Sequence, residues 1–177
     1  MIDATVFEPK IYVICLATYT GGKIHGAWID ASQKEDAIQA DIQAMLANSP
    51  ILNAKSWEIG DCKGFGGIHP WYFREYNSIK RIVELVSFFK KNGDIGRSAF
   101  VYTKGSLHEA QKIVENHYCG EFFGEEDYAL YVAKEIMEVS EDMLIYIDLK
   151  KMVRDLSFNY LFINSIADYK KVHVFHC

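Results

Sequence analysis

Cysteine pairs, long apolar runs and a secretion signal are all missing from this sequence of 177 residues. The four cysteines, Cys15, Cys62, Cys119 and Cys177, are widely scattered and form no C-x-x-C motif, which argues against a zinc ribbon or a redox site. No apolar run reaches the roughly 20 residues that span a bilayer. The first residues, MIDATVFEPK, lack the basic and apolar segments of a signal peptide. We therefore expect free thiols, no membrane association and a cytoplasmic location.

Catalytic motifs are also missing. The segment Gly64–Gly67 reads GFGG, but it lacks the lysine and serine of a phosphate-binding P-loop and the spacing of a dinucleotide site. A linker turn is the simpler interpretation. The sequence contains no G-x-S-x-G, no H-E-x-x-H and no kinase element. These absences predict a protein that is not an enzyme and needs no cofactor.

The histidines offer only weak alternatives. His173 and His176 lie near the end of the sequence, but residues three apart in a strand point to opposite faces, so no metal site is expected. An enzyme that used His25, His117 or Cys119 would rest on residue type alone, because a nucleophile and its base must be close in space. Acids are plentiful, but on outer helix faces they lack the burial that raises the pKa of a general acid.

Negative charge is unevenly distributed along the chain. Residues 30–61 hold six acids against two lysines, a balance of −4, and residues 121–148 hold nine acids against one lysine, a balance of −8. Residues 62–104 instead hold eight bases against three acids, a balance of +5. A nucleic-acid-binding protein normally has a dominant basic face, so direct binding of nucleic acid is not expected. Solvated helix faces are the ordinary interpretation of acidic runs.

The first sixty residues predict a small β-rich module. Ile11–Tyr19 is rich in β-branched and aromatic residues and apolar on both faces, which predicts a covered strand. The pair Gly21–Gly22 can supply the positive φ angles of a tight hairpin turn, and Ile24–Ile29 forms the returning strand. We expect His25 and Trp28 to organise the core and the edges of this module.

A helix and a third strand are expected next. Ser32 stands three positions before Glu35, which is the capping-box pattern of a helix start. The apolar residues that follow recur at helical spacing and form one buried stripe: Ile38, Ile42, Met45 and Leu46. The helix should stop at Asn48–Pro50, and Trp57–Ile59 should form a strand. The glycines and proline of residues 60–70 then predict a break in regular structure and a module boundary.

The middle segment predicts only helices. An apolar stripe runs along one side of the first of them: Ile79, Ile82, Val83, Val86 and Phe89. Gly93 suits the left-handed position just past the end of that helix. A second short helix is expected over Asp94–Tyr102.

The C-terminal segment predicts a mixture of helices and strands. Ser106 and Glu109 form a second capping box, which opens a helix through His117. A helix over Glu125–Val139 should bury a stripe and keep an acidic outer surface; the stripe is Tyr128, Val132, Ile136 and Val139. The remaining elements are a strand over Met143–Ile147, a helix capped by Asp148 with Leu149, Met152, Val153 and Leu156 buried, and a hairpin of Tyr160–Asn164 with Val172–Phe175. The fold class is therefore α+β, in three modules over residues 1–61, 62–104 and 105–177.

Several blocks of the sequence resemble the ArdA family of antirestriction proteins, in the order in which that family has them. The first block, IYVICLATYTGGKIHGAWIDA, covers Ile11–Ala31 and resembles the N-terminal signature of the family. The further blocks are Ser56–Gly67, Arg74–Gly96, Leu107–Phe122, Tyr146–Leu156 and Val172–Phe175. Together they extend over nearly the whole chain.

The resemblance implies a function without catalysis. ArdA proteins are encoded on mobile genetic elements and protect incoming DNA from type I restriction–modification enzymes. The family implies an elongated, curved chain of three small modules that dimerises through its C-terminal parts. Its surface carboxylates imitate the phosphates of duplex DNA and occupy the DNA channel of the methyltransferase core. The implied partners are that enzyme and a second copy of the chain, in the cytoplasm of a bacterial host.

Two acidic zones are the candidates for this imitation. The C-terminal zone, which we rank first, consists of Glu121, Glu125, Glu126, Asp127, Glu135, Glu138, Glu141, Asp142 and Asp148. The N-terminal zone contributes Asp36, Asp41, Glu58 and Asp61. Between them stand the bases Lys80, Arg81, Lys90 and Lys91. This basic middle favours an alternative, in which the fold is kept and the imitation of DNA is weakened or directed at another nucleic-acid-binding protein.

Overall fold

A computed structural model describes residues 6–73, 76–115 and 118–177. Helices and two small antiparallel sheets alternate along the chain, which confirms the predicted α+β class. The chain divides into two compact units, Met1–Gly93 and Asp94–Cys177. No helix in the described ranges has both the length and the apolarity needed to cross a bilayer.

The first unit is built on a three-stranded sheet with the order β2-β1-β3. Strand β1 is Phe7–Cys15, β2 is Gly26–Asp30 and β3 is Trp57–Phe65. Both neighbours run antiparallel to β1, so that Tyr12 lies opposite Trp28 on one side and Asp61 on the other. Alternate residues of β1 are buried because successive side chains point to opposite faces of a sheet.

The predicted hairpin exists, but its turn is longer than expected. Strand β1 ends at Cys15, and Leu16–Tyr19 forms one helical turn, α1, instead of continuing the strand. The hydroxyl of Thr18, which is buried, donates to the carbonyl of Cys15 at 2.9 Å and satisfies the backbone where the strand ends. Only Gly22 of the glycine pair has a positive φ, 76°. The prediction of a tight two-residue turn is therefore wrong.

Strand β3 continues through the glycine-rich segment that was expected to interrupt it. Residues 60–65 stay paired with β1, with register shifts that accommodate the extra residues. The predicted end at Ile59 is wrong for this reason, and the proposed boundary between residues 61 and 62 lies inside β3. The division into three modules remains a prediction.

Helix α2, Glu35–Ala47, packs on β1 and β2 and buries the whole predicted stripe. Its end at Ala47 agrees with the predicted stop. The capping box is wrong, because the N-cap residue is Lys34. Ser32 lies two residues earlier, where its backbone N–H donates to the Asp30 carboxylate at 2.8 Å.

A long helical segment, α3, covers Ile79–Tyr102 and is kinked at Gly93. The φ and ψ angles of Gly93, 56° and −133°, are not helical, which confirms the predicted left-handed break and the second helix after it. The predicted stripe of the first part is buried except for Val83, which is half-buried. A turn of 3₁₀ helix, Pro70–Phe73, precedes α3.

The second unit holds the sheet β4-β6-β5, in which β4 is Tyr118–Phe122, β5 is Tyr160–Asn164 and β6 is Val172–His176. The β5–β6 hairpin confirms the prediction. Besides the part of α3 that follows Gly93, the described residues of this unit form α4 over Leu107–Glu115, α5 over Glu125–Tyr131, α6 over Glu141–Leu144 and α7 over Leu149–Leu156. Helix α4 begins as predicted, with the Glu109 N–H 3.4 Å from the Ser106 hydroxyl, whereas its predicted last residue, His117, lies outside the described residues.

Two predicted elements of this unit are wrong. The helix that starts at Glu125 changes to a π-helical turn over Val132–Ile136 and ends there. A π turn holds more residues than an α turn, so the stripe loses its spacing and Ile136 is 58% exposed. The predicted strand over Met143–Ile147 is replaced by α6, whose first turn carries Glu141 and Asp142, because acidic side chains stabilise a helix N-terminus.

The core of the second unit surrounds Tyr128 of α5. Tyr128 is 2% exposed, and it clusters with Val132, Val172 and Val174. Asp148 caps α7 as predicted, accepting the Lys151 N–H at 3.0 Å. The prediction that the four apolar residues of α7 are buried is wrong, because all four are only half-buried.

Candidate functional site

The nine acids of the C-terminal zone lie at the surface. All are exposed except Asp127, which is half-buried. Six of them stand at the starts of three successive helices, in the first turns of α5 and α6 and at the cap of α7. The partial positive charge of a helix N-terminus stabilises carboxylates there. The sequence therefore concentrates negative charge by a local mechanism that also fixes where each helix begins.

Most of these carboxylates have no partner within the described part of the chain. Asp127 accepts the Phe123 N–H at 3.0 Å, Asp148 caps α7, and Glu121 pairs with the Lys171 ammonium at 2.7 Å. The other six form neither a hydrogen bond nor a salt bridge with any described residue: Glu125, Glu126, Glu135, Glu138, Glu141 and Asp142. An external cation can therefore bind them without first breaking an internal pair.

The four acids of the N-terminal zone are also exposed. Asp36 lies in the first turn of α2, Asp41 accepts from the side chain of Gln33 at 2.9 Å, and Glu58 and Asp61 belong to β3. Asp61 Oδ1 accepts the N–H of Cys62 at 2.8 Å. These acids occupy two different elements, α2 and β3, of the first unit.

A polar network in the second unit connects α3 with the sheet. Asp94 Oδ2 accepts from Ser165 Oγ at 2.7 Å and from His173 Nε2 at 2.8 Å, and Asp94 Oδ1 accepts the Ala167 N–H at 3.0 Å. His173 is 4% exposed, and its Nδ1 lies 3.1 Å from the Tyr118 hydroxyl. Both ring nitrogens of His173 are thus occupied.

The network shifts the pKa of several groups. Burial acts to raise the pKa of Asp94, but the hydrogen bonds from His173 and Ser165 outweigh it and leave that pKa below its usual value. Burial, helped by the carboxylates of Glu121 and Asp94, raises the pKa of Tyr118. The hydrogen bond to Glu121 raises the pKa of Lys171. The folded structure therefore favours a charged Asp94 and a charged Lys171.

Asp94, Glu121 and His173 place one potential metal-ligand atom each within 4.8 Å of one another. Two carboxylates and an imidazole are a possible donor set for zinc. A metal ion would, however, have to displace the Lys171 ammonium from Glu121 and the hydrogen bond between His173 and Asp94. The arrangement is a polar network whose members already satisfy one another, and its chemistry is structural.

The other histidines named from the sequence are placed apart. His173 is buried, whereas His176, the last residue of β6, is exposed. His25 Nε2 lies 2.8 Å from the carbonyl of Met45, so that this ring connects the loop before β2 to the end of α2. Trp28 packs on Tyr12 with ring centroids 5.2 Å apart. His25 and Trp28 therefore serve the first unit structurally, as expected.

A cleft of about 360 Å³ lies in the first unit between β3 and the segment that follows it. Its lining includes Asp61, His69, Trp71, Phe73 and Tyr76. Phe73 and Tyr76 are buried at its base, whereas Trp71 is 58% exposed. This concave surface combines aromatic rings with the carboxylate of Asp61.

Comparison with known protein families decides the assignment. The model of the antirestriction protein family ArdA matches residues 11–170, which is most of the chain and includes both acidic zones. The chain belongs to the ArdA family. This match confirms the resemblance seen in the sequence blocks, and no curated protein matches the chain.

Because the chain belongs to the ArdA family, its surface is the place to look for a binding site. The sequence correctly predicted that the two acidic zones are exposed. It had not singled out Asp94 or Tyr118, and it had considered His173 only together with His176. A buried histidine needs hydrogen-bond partners, but the partners here come from α3 and β4, far away in sequence. The aromatic cleft was missed because residues 60–70 were interpreted as a linker.

Proposed function

We propose that this ArdA protein inhibits type I restriction–modification enzymes by occupying the DNA channel of their methyltransferase core, with carboxylates in place of DNA phosphates. The family match supports the antirestriction role. The observation that carries the finer proposal is the set of six exposed carboxylates in residues 125–142 that have no partner among the described residues. The protein acts as a binding partner in this role and performs no catalysis.

The physical reason lies in the charge of DNA. Duplex DNA carries one negative charge per roughly 1.7 Å of its axis, and an enzyme that binds it offers lysine and arginine side chains to that surface. A protein that places carboxylates within reach of those lysine and arginine side chains gains both electrostatic steering and ion pairs. Because phosphate contacts carry no sequence information, the inhibition should not depend on the recognition sequence of the enzyme.

No single carboxylate can carry the inhibition. An exposed ion pair contributes about 0.2–1 kcal/mol, so the effect requires many pairs acting together. We rank the C-terminal zone first and give the N-terminal zone, Asp36, Asp41, Glu58 and Asp61, a supporting role. Salt should weaken the complex, because exposed charges are screened over roughly 8 Å at physiological ionic strength.

A homodimer is part of the proposal. The second unit exposes several large apolar side chains, among them Tyr169 at 84%, Phe158 at 81%, Ile145 at 78% and Tyr146 at 77%. Contiguous exposed apolar patches are typical of protein interfaces. Light scattering on the purified chain tests the dimer by measuring whether the mass in solution is twice that of one chain. We also propose that the chain is organised in three modules and acts in the cytoplasm of a bacterial host.

The test is protection of unmodified phage DNA in cells that carry a type I system. The test variant neutralises four unpaired acids, as Glu125→Gln, Glu126→Gln, Glu138→Gln and Glu141→Gln. The control variant removes the same charge elsewhere, at exposed acids outside both zones, as Glu8→Gln, Glu84→Gln, Glu115→Gln and Asp155→Asn. We expect roughly tenfold less protection from the first variant, with each lost pair contributing about 0.3–0.5 kcal/mol.

The control variant should protect nearly as well as the unmodified chain. Equal protection by both variants would reject the C-terminal zone while leaving the activity in place. Failure of the unmodified chain against every type I system tried would reject the proposal itself. Circular dichroism of each variant separates a lost surface from a lost fold.

A second candidate function rests on the basic side chains of α3. Lys80, Arg81, Lys90 and Lys91 are all exposed, and such a basic surface opposes a continuous imitation of phosphates. In this alternative the ArdA fold binds another nucleic-acid-binding protein. Competition between the chain and duplex DNA for purified methyltransferase core distinguishes the two, because only the first proposal predicts mutually exclusive binding.

A further inference from the structure

We infer that Lys171 is an internal competitor in the C-terminal zone. Its ammonium occupies the place, at the Glu121 carboxylate and the Phe123 ring, that a lysine or arginine side chain of the partner protein takes in the complex. The inference rests on the proposed function, because it concerns the same interface. It goes further in predicting that the free protein restrains its own binding, so that removal of one basic side chain makes it a stronger inhibitor.

The pairing of the second sheet brings these three side chains together. Strand β4 runs antiparallel to β6, with Phe122 opposite Val172, so the next positions along the two chains, Phe123 and Lys171, also meet. Side chains alternate between the two faces of a sheet. Glu121 and Phe123 therefore point to one face, whereas Phe122 between them packs against the core of the unit.

The Lys171 ammonium makes two contacts on that face. Its Nζ donates to Glu121 Oε2 at 2.7 Å and lies over the Phe123 ring, 5.4 Å from the ring centroid. The hydrogen bond to Glu121 raises the pKa of Lys171, so the side chain is charged at neutral pH. A cation that meets a carboxylate and an aromatic ring is attracted by both. The site has the chemistry of a receptor for a cationic side chain, and Lys171 fills it.

The main chain holds Lys171 in this position. Its N–H donates to the carbonyl of Asp168 at 2.9 Å, and its carbonyl accepts the Ser165 N–H at 3.0 Å. These bonds fix the segment between β5 and β6 from which the side chain extends. A fixed backbone reduces the entropy lost when the ammonium pairs with Glu121, so an incoming lysine or arginine has a local rival.

The pair is open to a partner. The side chains of Glu121 and Lys171 are 37% and 30% exposed, and Phe123 is 71% exposed. Among the described residues, Glu121 is the one acid of the C-terminal zone that has a cation as its partner. An exposed ion pair is weak enough to be exchanged, but the exchange gains less than a new pair at an unpaired acid. Glu121 therefore contributes little to partner binding while Lys171 is present.

The first test removes the competitor and measures binding of N-acetyl-arginine amide by ¹H–¹⁵N NMR of the full chain. Lys171→Met keeps a long side chain and loses its charge. The amide signals of Glu121 and Phe123 should then move at about threefold lower probe concentration than in the unmodified chain. Lys171→Arg keeps a cation and should behave as the unmodified chain does. Local loss of structure would weaken binding, so tighter binding separates competition from misfolding.

Two matched variants separate the competitor from a general change of charge. Lys134→Met removes an exposed charge from the same zone, where it forms no salt bridge with a described acid. Lys112→Met breaks a similar pair outside the zone, because Lys112 Nζ lies 3.0 Å from a Glu109 oxygen. Each should change the probe concentration needed at Glu121 and Phe123 by less than about 1.5-fold, since exposed charges are screened.

A double-mutant cycle tests whether the gain passes through Glu121. In the Glu121→Gln background, Lys171→Met should gain no more than Lys134→Met does. The inference is overturned if Lys171→Met binds the probe no better than the unmodified chain, if Lys134→Met gains as much, or if the full gain persists without Glu121. Equal movement of the signals by N-acetyl-citrulline amide, which is neutral, would also overturn it.

The second test measures inhibition of the methyltransferase core by the same variants at fixed ionic strength. Lys171→Met should inhibit at about threefold lower concentration than the unmodified chain, and Lys134→Met and Lys112→Met should not. If no variant inhibits any enzyme but Lys171→Met binds the arginine probe more tightly, the proposed function fails and the competitor assignment stands. If inhibition occurs and Lys171→Met inhibits no better than Lys134→Met, the competitor assignment fails alone.

Discussion

Replacing Asp94 should destabilise the second unit more than any change to its surface acids. The Asp94 carboxylate accepts three hydrogen bonds, from Ser165, Ala167 and His173. Ser165 and His173 are 6% and 4% exposed, so water cannot easily replace the acceptor when it is removed. The Asp94→Ala variant would leave two buried donors, the Ser165 hydroxyl and the His173 N–H, without this acceptor, and would also remove the carboxylate that lies 3.6 Å from the buried Arg97 guanidinium. Ala167 is exposed, so its N–H can bind water instead.

The expected magnitude follows from those two donors. An unsatisfied buried polar group costs about 1–3 kcal/mol, so Asp94→Ala should lower the unfolding free energy of the second unit by about 3 kcal/mol. Asp94→Asn should cost about half as much, because one amide oxygen can still accept a hydrogen bond. Asp142→Ala is the control, since this exposed acid has no internal partner and its loss should change stability by less than about 0.5 kcal/mol.

The assay must report on the second unit alone. All three tryptophans, Trp28, Trp57 and Trp71, belong to the first unit, so tryptophan fluorescence does not follow the second. Hydrogen exchange of the β6 amides does, and the amides of β1 serve as an internal reference. A loss of protection in β6 below about 0.5 kcal/mol for Asp94→Ala would refute the reasoning.

The pH dependence adds an independent check. The pKa of Asp94 is lowered in the folded chain, so its stabilising effect is fully present above the unfolded value, about 3.9. That effect is lost as the pH falls through the lower folded value. The stability difference between the unmodified chain and Asp94→Asn should therefore shrink as the pH falls below about pH 4. A difference that stays constant down to pH 2 would contradict the assigned pKa direction.

Two further predictions concern glycines and thiols. In chemical denaturation, Gly64→Ala should lower the free energy of unfolding by at least about 3 kcal/mol and Gly93→Ala by only about 1 kcal/mol. Both glycines have a positive φ, but of the two only a Cβ at Gly64 would collide with the backbone of β1. Similar losses for the two variants would contradict the packing argument. Burial raises the pKa of Cys62 to about 12, so iodoacetamide at pH 8 should alkylate the exposed Cys119 and Cys177 and spare Cys62, as mass spectrometry of peptides would show. Rapid alkylation of Cys62 would indicate that β3 opens.

Patterns of local spacing predicted much of the fold. The stripe of α2, the break at Gly93, the Asp148 cap and the β5–β6 hairpin are all confirmed. Each depends on residues close together in sequence, where periodicity and capping chemistry are strong signals. The exposure of the candidate acids follows from the same kind of argument, since helix N-termini attract carboxylates at the surface.

The errors arose where distant parts of the chain decide the structure. Strand β3 passes through Gly60 and Gly64 because β1 pairs with it, although glycine-rich segments usually break strands. Met143–Ile147 is apolar and short, so its spacing alone does not separate helix from strand. The partners of His173 come from α3 and β4, and a local sequence pattern does not predict hydrogen bonds between residues so far apart. The aromatic cleft was not predicted for the same reason, because it forms only where β3 continues past Ile59.

The positions of β1 and β6 in their sheets differ in a way that matters during synthesis. β1 is the central strand of the first sheet and the earliest in the chain, so β2 and β3 can each pair with it as they leave the ribosome. β6 is the central strand of the second sheet but the latest of its three, so β4 and β5 have no ladder until Val172–His176 has been made. Unpaired strands of a nascent chain are prone to wrong associations. The second unit therefore passes through a period of exposed strand edges that the first unit avoids, and it is the half of the protein for which a chaperone would matter most.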